Sequence, residues 1–162
     1  MRLPFGRPRD CSILPLAQRQ SPALARLHRE DFLRPWTDGE FTALLADKTV
    51  FGFAAFEIGN AKAGPVGFVL ARLAAGEAEI LTIVVARSHR RRGLGRQLMD
   101  AVLRRLHALR AEALFLEVDE TNLPAGALYR RLGFREVGKR PAYYTAADGR
   151  KSNALIMRRG LR

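Results

Sequence analysis

A basic turn that contains two glycines has the residue types and spacing best suited to a chemical role. The apolar run Ile83-Val84-Val85 leads into Arg90-x-x-Gly93-Leu94-Gly95-Arg96, after which a helical pattern begins. The first N–H groups of a helix have no acceptor within the helix and lie at the positive end of its dipole, so they bind anions. Glycine allows a phosphate to approach the backbone closely, and four arginines add positive charge. The turn therefore predicts a pyrophosphate site.

Two common phosphate-binding motifs do not fit this turn. A P-loop requires a glycine, four residues and then Gly-Lys-Ser or Gly-Lys-Thr, and the sequence has no such stretch. A dinucleotide fingerprint requires a third glycine three residues after Gly95, where this chain has Leu98. The fingerprint also follows the first strand of its fold, whereas this turn follows a late strand. The remaining alternatives are another pyrophosphate ligand and an ordinary helix N-terminus with surface arginines.

The elements on either side of the turn follow from hydrophobic spacing. The run Glu79 to Ala86 is almost continuously apolar, which predicts a central strand covered on both faces. Apolar residues recur at helical spacing from Gly93 to Leu109, which predicts a helix there. Thr37 is a predicted helix N-cap, with Glu40 as its capping-box partner. Gly133 is predicted to end a later helix.

Strands and helices alternate in the second half of the chain, so the predicted fold class is a mixed α/β sheet in a single domain. The other predicted strands cover residues 12–16, 50–58, 66–73, 113–118, 134–138 and 153–157. The other predicted helices cover residues 17–32, 38–47 and 122–132.

Length and composition favour a small cytoplasmic protein. The 162 residues, 48% of them hydrophobic, predict one domain over residues 12–162 after a flexible basic tail over residues 1–11. No apolar run approaches the length of about 20 residues that a membrane-spanning helix needs, and the tail lacks the apolar stretch of a secretory signal. Cys11 is the single cysteine, so an internal disulfide is impossible.

The net charge of +12 allows an anionic partner such as RNA, a ribosome surface or a phosphate-bearing cofactor. Only four of the 28 basic residues are lysines, and such an arginine bias is typical of a GC-rich genome. A non-catalytic RNA- or ribosome-binding module is therefore one hypothesis. Against it, aromatic residues do not alternate with the arginine cluster as a stacking platform requires.

Metal and hydrolase sites are not predicted. His28, His89 and His107 are far apart in sequence, and none forms a pair with the spacing of metal ligands, so each is expected at the surface or partly buried. The Gly-x-Ser-x-Gly sequence of a serine hydrolase is absent.

A second group of residues follows the turn at a characteristic spacing. It consists of Leu116-Glu117-Val118, Asn122, Ala127-Leu128-Tyr129 and Leu132-Gly133-Phe134. Together with the turn, this group resembles the coenzyme A and asparagine-to-tyrosine segments of the Gcn5-related N-acetyltransferases. Further stretches are similar to one branch of that family, the bacterial ribosomal-protein alanine acetyltransferases (RimI): Pro35-Trp36-Thr37 with Phe41, Glu79 to Ile83, Tyr143-Tyr144, Asp148-Gly149-Arg150 and Ala154 to Met157.

This resemblance implies a single acyl-CoA N-acyltransferase domain that takes the acetyl group from acetyl-CoA and uses no metal. The residues it implies for cofactor binding are Ile83, Val84, Val85, Arg90, Arg91, Arg92, Gly93, Leu94, Gly95, Arg96 and Asn122. It also implies Glu117 as the general base and Tyr129 as the general acid. The alternatives are that Glu117 is a solvated glutamate at a strand end, that Tyr129 is a core tyrosine and that Asn122 is a helix N-cap.

The acceptor implied by the resemblance is a protein N-terminus, the alanine of protein eighteen of the small ribosomal subunit. An α-amine, with a pKa of about 8 against about 10.4 for lysine, is the easier amine to deprotonate. The branch usually has an arginine two residues after the base, where this chain has Asp119 followed by Glu120, and Lys151-Ser152-Asn153 stands where an acidic pair is common. The alternative acceptors are therefore other protein N-termini, lysine, a polyamine or an antibiotic. We expect a monomer or weak dimer that requires neither a membrane nor nucleic acid.

Overall fold

The computed structural model describes residues 10–162, in which seven strands form one sheet with four helices. The strands are β1 (Cys11–Pro15), β2 (Val50–Glu57), β3 (Gly67–Ala74), β4 (Glu77–Val85), β5 (Ala113–Asp119), β6 (Arg135–Thr145) and β7 (Lys151–Gly160). The helices are α1 (Ser21–Asp31), α2 (Asp38–Ala46), α3 (Leu94–Ala108) and α4 (Leu123–Arg131). The strand order is β1-β2-β3-β4-β5-β7-β6, with β4 and β5 parallel and every other neighbouring pair antiparallel. The predicted mixed α/β class is confirmed.

Helices cover both faces of the sheet around β4, which lies in its centre. Helices α1 and α2 pack on one face, where Leu24 and Phe41 are fully buried. Helix α3 packs on the other face through Leu98 and Leu106. Burial from both sides explains why β4 has an almost continuously apolar sequence. None of the described helices has the length and apolar character needed to cross a membrane.

The termini of elements show which local signals were reliable. Thr37 caps α2, because its Oγ1 accepts a hydrogen bond from the Glu40 N–H at 3.1 Å. Strands β6 and β7 are much longer than the predicted 134–138 and 153–157. The length of β6 was not predicted because β6 is an exposed edge strand, and its sequence has no apolar pattern. Strand β1 begins at Cys11, one residue before the predicted start of the domain, and residues 1–9 of the predicted tail lie outside the described residues.

The expectation of a surface or partly buried histidine is wrong for His28, which is 2% exposed. Its ring stacks against Phe32 and Trp36, with centroid separations of 4.0 and 4.9 Å. Its Nδ1 accepts a hydrogen bond from the Trp36 N–H at 3.1 Å. His28 therefore fixes the segment between α1 and α2 by stacking and by one hydrogen bond, and the hydrogen bond requires an unprotonated Nδ1.

Folding stability is expected to fall by about 3 kcal/mol between pH 6.5 and pH 4 on account of His28 alone. Burial lowers the pKa of His28 from 6.5 to about 4, against a smaller opposing effect of Asp31. The unfolded chain takes up its proton near pH 6.5 and the folded chain only near pH 4, so the unfolded state binds more protons in this window. Urea unfolding of wild type and His28→Gln at pH 7 and pH 4.5 measures the difference.

The matched control for this prediction is His107→Gln, which removes an exposed histidine from α3. Its stability should fall with pH as steeply as that of the wild type, whereas His28→Gln should show a shallower fall. Equal pH dependence in both variants would show that His28 does not contribute.

Candidate active site

A gap opens in the sheet between β4 and β5. Their parallel pairing covers Glu77 to Glu79 on β4 and Ala113 to Phe115 on β5, and both strands then continue without pairing to each other. Residues 80–85 of β4 consequently have a free backbone edge toward β5. This edge is where a ligand can form hydrogen bonds of the kind that a strand would form.

Ile83 and Val85 present their backbone groups to this gap. Val84 pairs with Phe68 of β3, and the Ala86 N–H donates to the Val66 carbonyl at 2.8 Å. Because alternate residues of an antiparallel strand direct their N–H and C=O groups to the same neighbour, Val84 bonds to β3 and the residues on either side of it face away from β3. Of the three predicted strand residues, Ile83 therefore turns both backbone groups to the gap and Val85 offers its N–H, because the Val85 carbonyl accepts a hydrogen bond from Arg90 Nε.

The predicted phosphate-binding turn lies at the N-terminus of α3. Gly93 has φ 75° and precedes the helix, and the Gln97 N–H is the first in α3 with a backbone acceptor, the Gly93 carbonyl at 3.0 Å. Within residues 10–162, the N–H groups of Leu94, Gly95 and Arg96 have no backbone acceptor. A Cβ added to Gly93 would meet no atom within 4 Å, so the turn is open at this point. Open space and three free donors fit a pyrophosphate.

The arginines of the turn divide into two groups. Arg90 is held by Asp31 of α1, and its Nε donates to the Val85 carbonyl at 3.3 Å. Arg91 and Arg92 are exposed beside Gly93 and are free of ion pairs with any residue in 10–162. Arg91 and Arg92 are therefore better placed than Arg90 to neutralise a phosphate, while Arg90 supports the turn.

Two further contacts brace the start of the turn. The Arg87 N–H donates to Glu30 Oε2 at 3.2 Å, which ties the turn to the end of α1. His89 Nε2 lies 2.5 Å from Glu57 Oε1, which ties it to β2. The turn is thus fixed to the sheet and to the first helix before any ligand binds.

Glu117 lies on the β5 side of the gap, on the sheet face that α3 does not cover. Its side chain is 26% exposed, and its Oε1 forms an ion pair with Arg140 Nε of β6 at 2.8 Å. Tyr144, on the same strand as Arg140, is partly buried, and its pKa is raised to about 12 by burial and then by the charge of Glu117. Glu117, Arg140 and Tyr144, which we call the open-face cluster, combine a carboxylate, a cation and a phenol beside the gap.

Asp119 and Glu120 are both bound to the start of β7. Asp119 Oδ1 accepts hydrogen bonds from the Ser152 hydroxyl at 2.8 Å and from the Thr121 N–H at 3.0 Å. Burial acts to raise the pKa of Asp119, but these bonds outweigh it and hold the pKa below its ordinary value. Glu120 Oε1 accepts from the Asn153 N–H at 3.2 Å. Asp119 therefore stays ionised beside the open-face cluster while it joins two strands.

Tyr129 lies on α4 beneath the sheet. It is 6% exposed and packs edge to face on Phe134, with a centroid separation of 5.9 Å. Burial raises its pKa to about 12, so the phenol keeps its proton at neutral pH. Asn122 caps α4, because its Oδ1 accepts from the Ala125 N–H at 3.2 Å. This cap leaves the amide nitrogen of Asn122 free to donate to a ligand.

Sequence reasoning assigned no role to Arg140, and no local signal could have identified it. Arg140 reaches Glu117 only because β6 pairs with β7, which in turn pairs with β5. The register of β6 also shifts between Arg140 and Tyr144, so spacing along the chain does not show which residues share a face. Within residues 10–162 no three His, Cys, Asp or Glu side chains lie close enough to hold a metal ion.

Comparison with known proteins identifies the family. The model of the acetyltransferase (GNAT) family matches residues 21–134. The chain belongs to the GNAT acetyltransferase family. It is 31% identical over 136 residues to the ribosomal protein bS18-alanine N-acetyltransferase of Escherichia coli K12, which covers 84% of this chain and 88% of that protein. The predicted family and the N-acetyltransferase class are confirmed, which favours an enzyme over a binding module.

Solved structures of GNAT proteins share the fold. The crystal structure of the ribosomal-protein-S18-alanine N-acetyltransferase from Escherichia coli superposes with a TM-score of 0.84 at 28% identity and covers 93% of this chain and 94% of that one. Arabidopsis thaliana NAA60, solved in complex with acetyl-CoA, has a TM-score of 0.81 at 20% identity, and the match covers 93% of this chain and 98% of that one. At this identity, the similarity to NAA60 shows a shared fold only.

Gly93→Ala is expected to weaken coenzyme A binding about tenfold, as measured by isothermal titration calorimetry. An alanine at φ 75° is strained by about 1 kcal/mol, and its methyl group would stand in the open turn. Gly59 provides the matched control, because it has φ 80° and a Cβ there would also meet no atom within 4 Å. Gly59→Ala should lose similar stability and keep its affinity. Equal weakening in both variants would remove the turn from the binding site.

Proposed function

We propose that this acetyltransferase transfers the acetyl group of acetyl-CoA to a protein N-terminus, and that the acceptor is the N-terminal alanine of ribosomal protein bS18. The observation that carries the proposal is the 31% identity, over most of both chains, to an enzyme of that name. The gap in the sheet, the open turn and the Glu117 carboxylate supply the groups that such a transfer requires. The proposal includes a cytoplasmic site of action.

The donor is assigned to the gap between β4 and β5. The free N–H groups at the start of α3, with Arg91, Arg92 and Arg96, bind the pyrophosphate. The backbone groups of Ile83 and Val85 bind the pantetheine arm and the acetyl carbonyl, and the Asn122 amide binds the arm from the α4 side. Bound in this way, acetyl-CoA supplies an activated acetyl carbon whose leaving group is a thiolate.

Glu117 is assigned to the proton of the attacking amine. The amine nitrogen attacks only when its lone pair is free, so a proton must pass from nitrogen to the carboxylate, directly or through water. A carbon–nitrogen bond then forms and the carbon–sulfur bond breaks. An α-amine suits this task, since its pKa of about 8 lies closer to neutral pH than that of lysine.

Tyr129 is assigned to the sulfur that carries the leaving negative charge. Because burial raises its pKa to about 12, the phenol is protonated whenever the thiolate forms. The same burial disfavours a phenolate, so the phenol acts chiefly by donating a hydrogen bond to the sulfur, and any proton that it passes to the thiolate is replaced from solvent. This role is the general acid of the reaction, performed by a neutral phenol.

The open face beside Glu117 supports a peptide acceptor. Arg140 is 55% exposed and Tyr143 53% exposed, so the acceptor side is a shelf rather than an enclosed cavity. A shelf accommodates a chain that continues beyond the amine. Such a surface encloses a small molecule poorly, because few walls surround it.

A cationic small amine is the second candidate acceptor. Asp119 stays ionised at the end of the shelf, and its charge attracts an ammonium group. Its hydrogen bonds to Ser152 and Thr121 already occupy Oδ1, which lowers its value as a binding group. The charge of Asp119 favours polyamines over neutral amines. It is a weaker argument for the acceptor than the sequence similarity over most of the chain.

A panel of acceptors tests the proposal. The purified enzyme with acetyl-CoA is given peptides that begin Ala-Arg, the same peptide with a blocked N-terminus and an internal lysine, and spermidine, with mass spectrometry as readout. We expect acetylation of the free N-terminal alanine at a rate at least tenfold above the others. Acetylation of spermidine in preference to the peptide would replace the acceptor and retain the donor.

A further inference from the structure

The acceptor side of the site contains a cation that the chemistry of Glu117 does not require. Arg140 Nε lies 2.8 Å from Glu117 Oε1, which is hydrogen-bond contact for a charged pair. Arg140 is 55% exposed and Glu117 26% exposed, so the guanidinium stands on the solvent side of the carboxylate. Any amine that reaches Oε1 from the open face meets Arg140 first.

Arg140 also contacts an aromatic ring in the same conformation. Its Cζ lies 5.4 Å from the centre of the Tyr143 ring, within the range of a cation–π contact. The strand is irregular between Arg140 and Tyr144, where the register with β7 shifts and Ala142 has φ 50°. The side chain is thus paired with Glu117, lies over an aromatic ring and is 55% exposed to solvent.

We propose that Arg140 is a gate for the acceptor: its guanidinium pairs with Glu117 in the free enzyme, and the ammonium group of the acceptor displaces it from the carboxylate while its contact with Tyr143 is kept. Two cations beside one carboxylate oxygen repel each other, so the acceptor and Arg140 compete for the same place. The exchange admits a cationic amine and keeps the carboxylate paired when no acceptor is present. The inference rests on the proposed role of Glu117 and adds a residue that sets the affinity for the acceptor.

Steady-state kinetics at saturating acetyl-CoA test the gate with the amine that the wild type prefers in the panel above. Arg140→Met keeps the aliphatic stem and removes the charge, and we expect the KM for the acceptor to fall about threefold with kcat nearly unchanged. The KM of Arg140→Lys should lie between those of the wild type and Arg140→Met. Arg135→Met removes an exposed arginine from the same strand and should leave the KM unchanged. An unchanged or increased KM in Arg140→Met overturns the proposal, as does a fall in kcat alone, which would mean that Arg140 only orients Glu117.

A spectroscopic measurement separates failure of the gate from failure of the proposed function. The Arg140 Nε–H signal in a nitrogen-15 correlation spectrum should move between wild type and Glu117→Gln, and in the wild type it should move in the same direction when the Ala-Arg peptide is added. A signal that does not respond to Glu117→Gln shows that the pair is absent and overturns the gate. A signal that responds to Glu117→Gln and ignores the peptide overturns displacement by this acceptor, whatever the turnover.

Discussion

Glu117→Gln is expected to lower kcat by about 100-fold or more while the affinity for coenzyme A stays within about twofold of wild type. The amide has nearly the shape of the carboxylate and cannot accept a proton from the amine. Glu117 stands on β5, across the gap from the backbone groups assigned to the donor, so donor contacts remain. Release of free thiol measures turnover, and calorimetry measures the affinity.

Glu136→Gln is the matched control, because Glu136 is an exposed glutamate on β6, the strand that carries Arg140. It should retain wild-type turnover. A Glu117→Gln enzyme with near wild-type kcat would exclude a carboxylate base at this position and direct the search to a water molecule or to Tyr144.

Tyr129→Phe is expected to lower kcat about 10- to 100-fold, the effect of losing a hydrogen bond to a charged atom. The change removes one oxygen and keeps the ring, which packs on Phe134 in the core. With the pKa of Tyr129 at about 12, ionisation of this phenol lies above any assay pH, and kcat should show no loss of the acid between pH 7 and pH 10. Stopped-flow turnover with thiol detection measures both expectations.

The melting temperature and the coenzyme A affinity of Tyr129→Phe are its controls. Both should stay near wild type, because the ring still fills the core. If kcat also stays near wild type, the tyrosine is a packing residue only, and the leaving sulfur takes its proton from solvent.

The parts of the fold that could be predicted from the sequence are those whose signal is local. The spacing of Leu98 and Leu106 marks α3, because helix periodicity and burial coincide there. The apolar run of β4 marks a strand covered on both faces. Thr37 marks the start of α2, because a cap needs only a side chain and an N–H three residues away.

The parts that could not be predicted depend on contacts between distant segments. Arg140 meets Glu117 across two strand pairings, and the shift of register in β6 hides which face Arg140 occupies. Arg90 belongs to the motif of the turn, yet it contacts Asp31 of α1, 59 residues away. The motif predicts a phosphate site at this turn, and it does not distinguish the arginines that are free to bind a ligand from the one that braces the turn.

On the proposed assignment, a donor bound in the gap between β4 and β5 becomes a part of the fold. Only three residue pairs join β4 to β5 within the described residues. Beyond these pairs, the part of the sheet formed by β1 to β4 is joined to the part formed by β5 to β7 through α3 and the core, and not by backbone hydrogen bonds between strands. A donor bound there completes the ladder, and ligand at 100 times its Kd adds about 2.7 kcal/mol of stability. Amide hydrogens along the free edge of β4 should therefore exchange slowly only when donor is present. On the same assignment, bound donor is expected to slow proteolysis, because proteases cleave the opened form of the chain.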